Sequence, residues 1–292
     1  MNTNLPKVSI ILVNYNQPEV TYECLKSIKT LEYPNYEVWV VDNDSKIEKR
    51  INTVLFPDVN YIQSDTNLGF SGGNNLAIKR CSGDYILLLN NDTEVEAELL
   101  NILLDTFPKH PEAGIVSPKI VFYQTNTIQY AGTGAINPLT CRGNTIGYKE
   151  TDLGQFDQIR KTDLSHGACM MIKREVIEKI GLLSEEYFLY YEEYDFCEMA
   201  KKAGFDIYFN GLTKVFHKES ISVGKMSPLK SYYMSKNRVL FAKRNFKGWQ
   251  KVLSMVYYYL LALPKNVLVE TLRGRYNNSR AALKGAFDSF IK

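Results

Sequence analysis

Three acids stand close together in Tyr190-Tyr-Glu-Glu-Tyr-Asp-Phe-Cys197: Glu192, Glu193 and Asp195. Carboxylates grouped in this way are able to take a proton from a bound hydroxyl. A second group, Asn90-Asn-Asp92, sets three oxygen-bearing side chains directly after the apolar run of residues 85–89. Oxygen ligands of that kind are what hard divalent cations accept. His217, in Val215-Phe-His-Lys218, adds an imidazole, a common ligand for borderline cations. Of the other two histidines, His110 sits in the turn-like Pro108-Lys-His-Pro111, and His166 precedes Gly167-Ala-Cys169. Each group has a plainer reading. Acids at a helix start are favoured by the helix dipole, an Asn-rich turn caps the next helix, and a histidine at a strand end is hydrogen-bonded there.

These residues need elements to hold them. Residues 86–89 are four consecutive apolar side chains, too short a run for an average helix, and read as a strand covered on both faces. Asn90 to Asp92 then lie at the carboxyl end of a central strand, where open α/β sheets bind ligands. Thr93 with Glu94, Glu96 and Glu98 reads as the first turn of a new helix. Upstream, Val8-Ser-Ile-Ile-Leu-Val13 makes a first strand, residues 19–30 a helix, Glu37-Val-Trp-Val-Val41 a second strand and Val59-Asn-Tyr-Ile62 a third. Phe196, Met199, Ala200 and Ala203 are spaced as one helix face ended by Gly204, so Glu192 and Glu193 fall at its amino terminus. Alternating strands and helices predict a doubly wound, mostly parallel sheet flanked by helices.

A dinucleotide-binding fold is excluded by the turn after the first strand. That fold needs a Gly-rich turn there, and Asn14-Tyr-Asn-Gln-Pro18 has no glycine. Five cysteines without metal-ligand spacing predict reduced, buried thiols of a cytoplasmic protein. Met1 to Lys7 carries no apolar leader core. The net charge of +3 hides a division: from residue 225 onward there are 14 Lys and Arg against Glu270 and Asp288, a balance of +12 that leaves −9 for residues 1–224. An acidic body and a basic tail that meets something anionic follow from that split.

Several motifs together resemble the family 2 nucleotide-diphospho-sugar glycosyltransferases of GT-A fold, in particular their bacterial rhamnosyltransferase-like members. They are Val13-Asn-Tyr-Asn, Val41-Asp-Asn-Asp-Ser, Asn67-x-Gly-Phe-Ser-x-Gly-Asn, Leu89-Asn-Asn-Asp, Gly167-Ala-Cys and Tyr191-Glu-Glu-Tyr-Asp-Phe-Cys. The resemblance runs from Val8 to about Ser222. It implies an inverting hexosyltransferase using Mg2+ or Mn2+ and a UDP- or dTDP-sugar, with a saccharide or lipid-linked saccharide as acceptor in surface polysaccharide synthesis. In the family an Asp-x-Asp element holds the metal. Asn90-Asn-Asp92 stands in its place, so Asp92 is the expected carboxylate ligand and His217 the second. Glu193 matches the family's catalytic base, with Glu192, His166 and Gly167 near donor sugar or acceptor and Asp195 orienting the helix start or an acceptor hydroxyl. Val13 and Tyr15 match the base-holding loop, and Asn67, Gly69, Gly72, Asn74 and Asn91 line the nucleotide's path. A carboxylate at Asp42 would accept from the N3 hydrogen of uracil or thymine, which cytosine lacks; its alternative is a turn or cap.

The resemblance divides the chain into residues 1–224, the catalytic GT-A domain, and residues 225–292, a basic helical extension. The longest apolar run of the extension, residues 252–269, is interrupted by Pro264, Lys265 and Asn266. It is therefore expected to lie at a headgroup region, or to pack on the domain, rather than to cross a bilayer. The expected location is cytoplasmic, peripheral at the inner membrane face, with no nucleic-acid partner. Two other readings use the same residues: a sugar-phosphate nucleotidyltransferase, which needs an early Gly-rich basic loop not visible here, and a silent sugar-binding protein, suggested by Asn90 and Asn91.

Overall fold

The computed structural model describes residues 5–218 and 227–291. In chain order the body runs β1 (Val8–Asn14), α1 (Pro18–Ile28), β2 (Tyr36–Asn43), β3 (Asn60–Ser64), α2 (Gly69–Ile78), β4 (Tyr85–Leu89), β5 (Thr93–Val95), α3 (Leu99–Leu104), α4 (Thr106–Lys109) and β6 (Ala113–Phe122). It continues with β7 (Ile128–Tyr130), β8 (Ile159–Thr162), β9 (Cys169–Lys173), α5 (Arg174–Ile180), α6 (Glu192–Lys202) and β10 (Asp206–His217). Four helices follow: α7 (Pro228–Asn245), α8 (Gly248–Tyr257), α9 (Leu263–Leu272) and α10 (Tyr276–Ile291).

One sheet organises the body, in the order β3-β2-β1-β4-β9-β6-β10-β5. β1 pairs parallel with β2 and β4, and β2 with β3, as alternation of strands with α1 and α2 requires. β9 enters antiparallel between β4 and β6, and β10 returns to a parallel pairing with β6. The β4 run is buried on both faces as its composition predicts: Leu87 and Leu89 join one core with Ile10 and Leu12, while Ile86 and Leu88 join the other with Ile11. Fully burying each such side chain stabilises the fold by about 1.5–3 kcal/mol, so the strand that carries Asn90 to Asp92 is anchored from two sides. All five cysteines are free and buried.

Two expectations are corrected. Residues 93–95 form β5 rather than a helical turn, and α3 begins only at Leu99. The reason lies far away in the chain: β5 pairs antiparallel with the end of β10, placing His217 opposite Thr93. Pro264 does not break the apolar run either. Helix continues from α8 through a π-helical turn at Tyr258–Ala262 into α9, and that turn falls directly before Pro264, whose ring and missing N–H a regular α-helical ladder does not accommodate.

The expected division between residues 224 and 225, and Ser222 where the resemblance ends, lie outside the described residues. α7 itself starts on a Ser227 cap, whose hydroxyl accepts from the Lys230 amide at 3.1 Å, with Pro228 next. Its Phe241 and Ala242 pack with Tyr187, Tyr191 and Cys141 of the body.

Candidate active site

A cavity of about 390 Å³ opens over the carboxyl ends of β1 and β4. It is lined by Val13, Tyr15, Asn67, Gly69, Asn74, Asn91, His166, Gly167, Glu192, Glu193 and His217, so eleven of the residues singled out in the sequence meet at one place. α2 forms one wall. Gly69 opens that helix at φ +68°, and a Cβ there would lie 2.1 Å from the Phe188 carbonyl oxygen, so only glycine fits. The Asn67 side chain bridges the same corner, accepting from the Gly69 amide at 2.9 Å and from Asn43 at 3.0 Å.

The β5–β10 pairing brings His217 to Asp92, with Nε2 3.2 Å from Oδ1. His217 Nδ1 lies 2.8 Å from Gln129 Oε1, and an amide oxygen only accepts, so Nδ1 carries the proton. With the ring neutral, Nε2 carries a lone pair directed at the carboxylate. Two acceptors held face to face, both nearly buried, fit a shared divalent cation, whose adjacent octahedral ligands at about 2.1 Å lie about 3 Å apart. Among the described residues there is no cluster of three or more His, Cys, Asp or Glu that could hold a metal ion. Asn91 is held to α1 by a 2.9 Å bond to Thr21, and the Asn90 amide lies 3.5 Å from His217 Nε2.

Glu192 and Glu193 open α6 behind a strained turn. Tyr190 and Tyr191 have φ of +70° and +75°, left-handed values that cost a non-glycine residue about 1–2 kcal/mol each. Asn237 of α7 holds that turn, donating to the carbonyls of Leu189 at 2.8 Å and Tyr190 at 2.9 Å. Each glutamate keeps a buried Oε2 without a hydrogen-bond partner. Burial pushes the Glu193 carboxyl up to about 7, against the backbone amides that lower it. Burial and then the Glu193 charge hold Glu192 well above the ordinary carboxylate range. His166, whose Nδ1 accepts from the Ala168 amide at 3.1 Å, is driven down to about 3 by burial and by His217, and is neutral at physiological pH.

Three expected residues sit elsewhere. Asp195 faces away from the cavity: its nearly buried carboxylate accepts from Arg244 at 3.1 Å, Asn245 at 2.6 Å and Tyr187 at 3.3 Å, fastening α6 to α7. Asp42 is fully buried, accepting from Asn14 and from the Ser45 amide, each at 2.9 Å, and from Gln63 at 3.3 Å; the turn reading accounts for these bonds. Gly72 lies within α2, where a Cβ would press on Leu68 at 2.6 Å, and serves packing. Conversely, Gln129, Asn43, Phe188 and Lys230 line the cavity without having been singled out. Asn43 lay inside a quoted motif, whereas Gln129 and Lys230 carry no local signal.

A mixed α/β sheet with its ligand cavity at the strand ends, an acidic helix start on one side and a carboxylate–imidazole pair on the other defines a GT-A glycosyltransferase. The chain belongs to glycosyl transferase family 2, whose family model matches residues 9–181. It is 29% identical, over 89% of this chain and 82% of the relative, to the low-salt glycan biosynthesis hexosyltransferase Agl10 of Haloferax volcanii. It is 22% identical, over 74% and 77%, to the N-acetylglucosaminyl-diphospho-decaprenol L-rhamnosyltransferase of Mycobacterium tuberculosis. In fold it is similar to a mannosyltransferase from Pyrobaculum calidifontis solved with GDP-Man and Mn2+, with a TM-score of 0.59 and 15% identity over 98% of this chain and 87% of the other.

Proposed function

We propose that this chain transfers a hexose, with inversion, from a UDP- or dTDP-sugar to a saccharide or lipid-linked saccharide in polysaccharide or glycan synthesis, as a rhamnosyltransferase-like enzyme. The observation that carries the reading is Glu193: a carboxylate with a free, buried oxygen, raised to about 7, in the cavity that His217, the partner of Asp92, also lines. Single displacement needs one base on the acceptor side. The acceptor hydroxyl gives its proton to Glu193 as its oxygen bonds to the anomeric carbon. The bond from that carbon to the diphosphate breaks, and its electron pair leaves with the diphosphate.

Asp92 and His217 would hold Mg2+ or Mn2+, which as a Lewis acid offsets the charge on the departing diphosphate. Lys230, at the cavity wall from α7 with its Nζ 5.6 Å from the Tyr190 ring centroid, adds a cation of this chain to the cavity. Tyr15, 40% exposed at the cavity edge, offers an aromatic face to the base, with Val13 beside it. Glu192, whose carboxyl burial and then the Glu193 charge hold well above the ordinary range, stands beside Glu193 at the cavity wall, within reach of a sugar or acceptor oxygen. The Mycobacterium tuberculosis relative, by its name a rhamnosyltransferase for a lipid diphosphate-linked sugar, supports the acceptor class.

The test is release of nucleoside diphosphate from a panel of UDP-, dTDP- and GDP-sugars, with and without Mn2+ and a lipid-linked saccharide. Turnover with a UDP- or dTDP-sugar that disappears on chelation is expected. Turnover with GDP-sugars alone would replace the donor assignment, and metal-independent turnover would remove the cation.

A further inference from the structure

α8, the π-helical turn and α9 form a single 25-residue helix, Gly248–Leu272, whose most apolar stretch has a mean hydropathy of 1.4 and is only 17% buried. Its apolar side chains are therefore not core. Trp249, Leu253, Val256, Leu260, Leu268 and Leu272 recur at three- to four-residue steps, with Pro264 filling the one longer interval, and all are exposed, Trp249 at 70% and Leu272 at 78%. The opposite side of the helix is occupied: Tyr258 and Leu263 pack with Val239 of α7 and with Ala282 and Ala286 of α10.

The charges around this stripe have one sign. On α8 to α10 and the adjoining turns Lys247, Lys251, Lys265, Arg273, Arg280 and Lys284 are exposed. Both acids of the segment are engaged within the protein, Glu270 with Arg275 at 3.2 Å and Asn278 at 3.0 Å, and Asp288 with the Tyr232 hydroxyl at 2.8 Å. A second copy of this chain would bring these cations against one another, so the surface is ill suited to self-association. An apolar stripe among exposed cations, with Arg273 paired to Glu270 at 3.8 Å, fits a lipid surface of negative charge.

We propose that the Trp249–Leu272 stripe lies in the plane of an anionic bilayer, at the boundary between headgroups and acyl chains, as the membrane-docking face of the enzyme. The helix does not span. Crossing would strip Tyr258 from the Ser235 hydroxyl it bonds and Leu263 from its packing, and would leave α10 without its partner. α10 in turn lies close along α7, where a Cβ on Gly285 would meet the Tyr232 carbonyl oxygen at 2.2 Å. The first turn of α7 supplies Leu229 and Lys230 to the cavity wall. Docked helices thus hold the cavity at the membrane surface, where a lipid-linked acceptor resides. This deepens the proposed acceptor class, but docking stands or falls by itself.

Lys243 and Arg244, by contrast, are not part of the docking face. Arg244 is committed to Asp195 and Glu186, and Lys243 bonds the Ser289 carbonyl.

The experiment is flotation of the full chain with phosphatidylglycerol–phosphatidylcholine vesicles at low and high salt, together with quenching of tryptophan emission by brominated lipid. Only Trp39 and Trp249 emit, and Trp249→Phe gives the Trp39 background. Expected are flotation at least about tenfold weaker on neutral vesicles, loss with salt, and quenching that vanishes in Trp249→Phe. Leu260→Glu with Leu268→Glu should abolish flotation while leaving the melting curve and nucleoside-diphosphate binding in place. Should that variant misfold, Lys247→Gln with Lys251→Gln and Lys265→Gln leaves the stripe intact and should weaken flotation on anionic vesicles alone. Absence of flotation at low salt would overturn the proposal, as would flotation without Trp249 quenching. A dimer in light scattering that Leu260→Glu dissociates would give the face to a second copy. None of these results depends on which sugar moves.

Discussion

At the scale of single residues, the two adjacent glutamates make opposite predictions. A base must be ionised, and burial holds Glu193 above the ordinary carboxylate value, to about 7. Turnover should therefore be low at acidic pH and rise as pH passes through about 7, the reverse of what a catalytic acid would give. Initial rates across pH on saturating donor should show that limb; because the two carboxyls share a site, it reports the pair. Glu193→Gln should lower kcat by about 10²- to 10⁴-fold with nucleoside-diphosphate affinity retained. Glu192→Gln, which keeps a hydrogen-bond donor, should leave the limb in place. If Glu192→Gln removes the limb and Glu193→Gln does not, the two roles are exchanged.

Gln129 gives a second residue-scale prediction. Its oxygen accepts from His217 Nδ1, while Asp92 stands at the other ring nitrogen, Nε2. Gln129→Leu should weaken Mn2+ binding by about 10- to 100-fold, and Gln129→Asn should recover less than wild type because its amide is one methylene shorter. Calorimetric titration of Mn2+ in the presence of nucleoside diphosphate measures this without turnover. Unchanged affinity in Gln129→Leu would mean that His217 is not a ligand, or is oriented by something else.

At the scale of elements, the catalytic helix is held from its far side. Asn237 restrains the left-handed turn before Glu192, while Arg244 and Asn245 grip Asp195 one turn further on. Asn237→Ala should cost about 1–3 kcal/mol of stability, by leaving two carbonyls without their donor, and should lower kcat more than it raises KM. Denaturant unfolding and steady-state kinetics on one preparation separate the two effects. A chain ended before α7 should lose both restraints and be inactive toward donor.

The same elements show what was legible in the sequence. β1, β2, β4 and α6 were readable because each is specified locally, by a continuous apolar run or by an apolar face ended at Gly204. β5 was not. Thr-Glu-Val-Glu suits a short strand as well as a helix start, and only β10, returning more than a hundred residues later, decides between them. The site divides in the same way. Glu193, Asp92 and His217 stood in recognisable motifs, whereas Gln129, Lys230 and Asn237 are single polar residues in ordinary helices and strands. Their roles exist only once the chain has closed. Asp195 and Asp42 each carry two readings in the sequence for the converse reason: an acid in a motif looks alike whether it faces a ligand or fastens two elements.

At the scale of the whole molecule, the cavity is assembled from nearly every part of the chain. Asn90 and His217, 127 residues apart, meet at 3.5 Å, and α7 reaches the same wall from beyond both. A ligand held there grips parts of the chain that come together only in the native state. Nucleoside diphosphate with Mn2+ should therefore raise the melting temperature of the intact protein, by about 2.7 kcal/mol of added stability at a hundred times Kd. Differential scanning fluorimetry with each component separately would show whether the pair acts jointly. A shift from nucleotide alone, equal to that from the pair, would remove the cation from the binding step.

The single bond network at Asp195 has a consequence for how this enzyme tolerates change. Because one carboxylate accepts from Tyr187, Arg244 and Asn245, substitutions at these four positions are not independent. A double-mutant cycle on Asp195→Asn and Arg244→Gln should give a loss smaller than the sum of its parts, since the second change removes a donor whose partner has already lost its charge. In a lineage of such chains the four positions should drift together or not at all, and a C-terminal segment transplanted from a relative should function only when its partner acid travels with it.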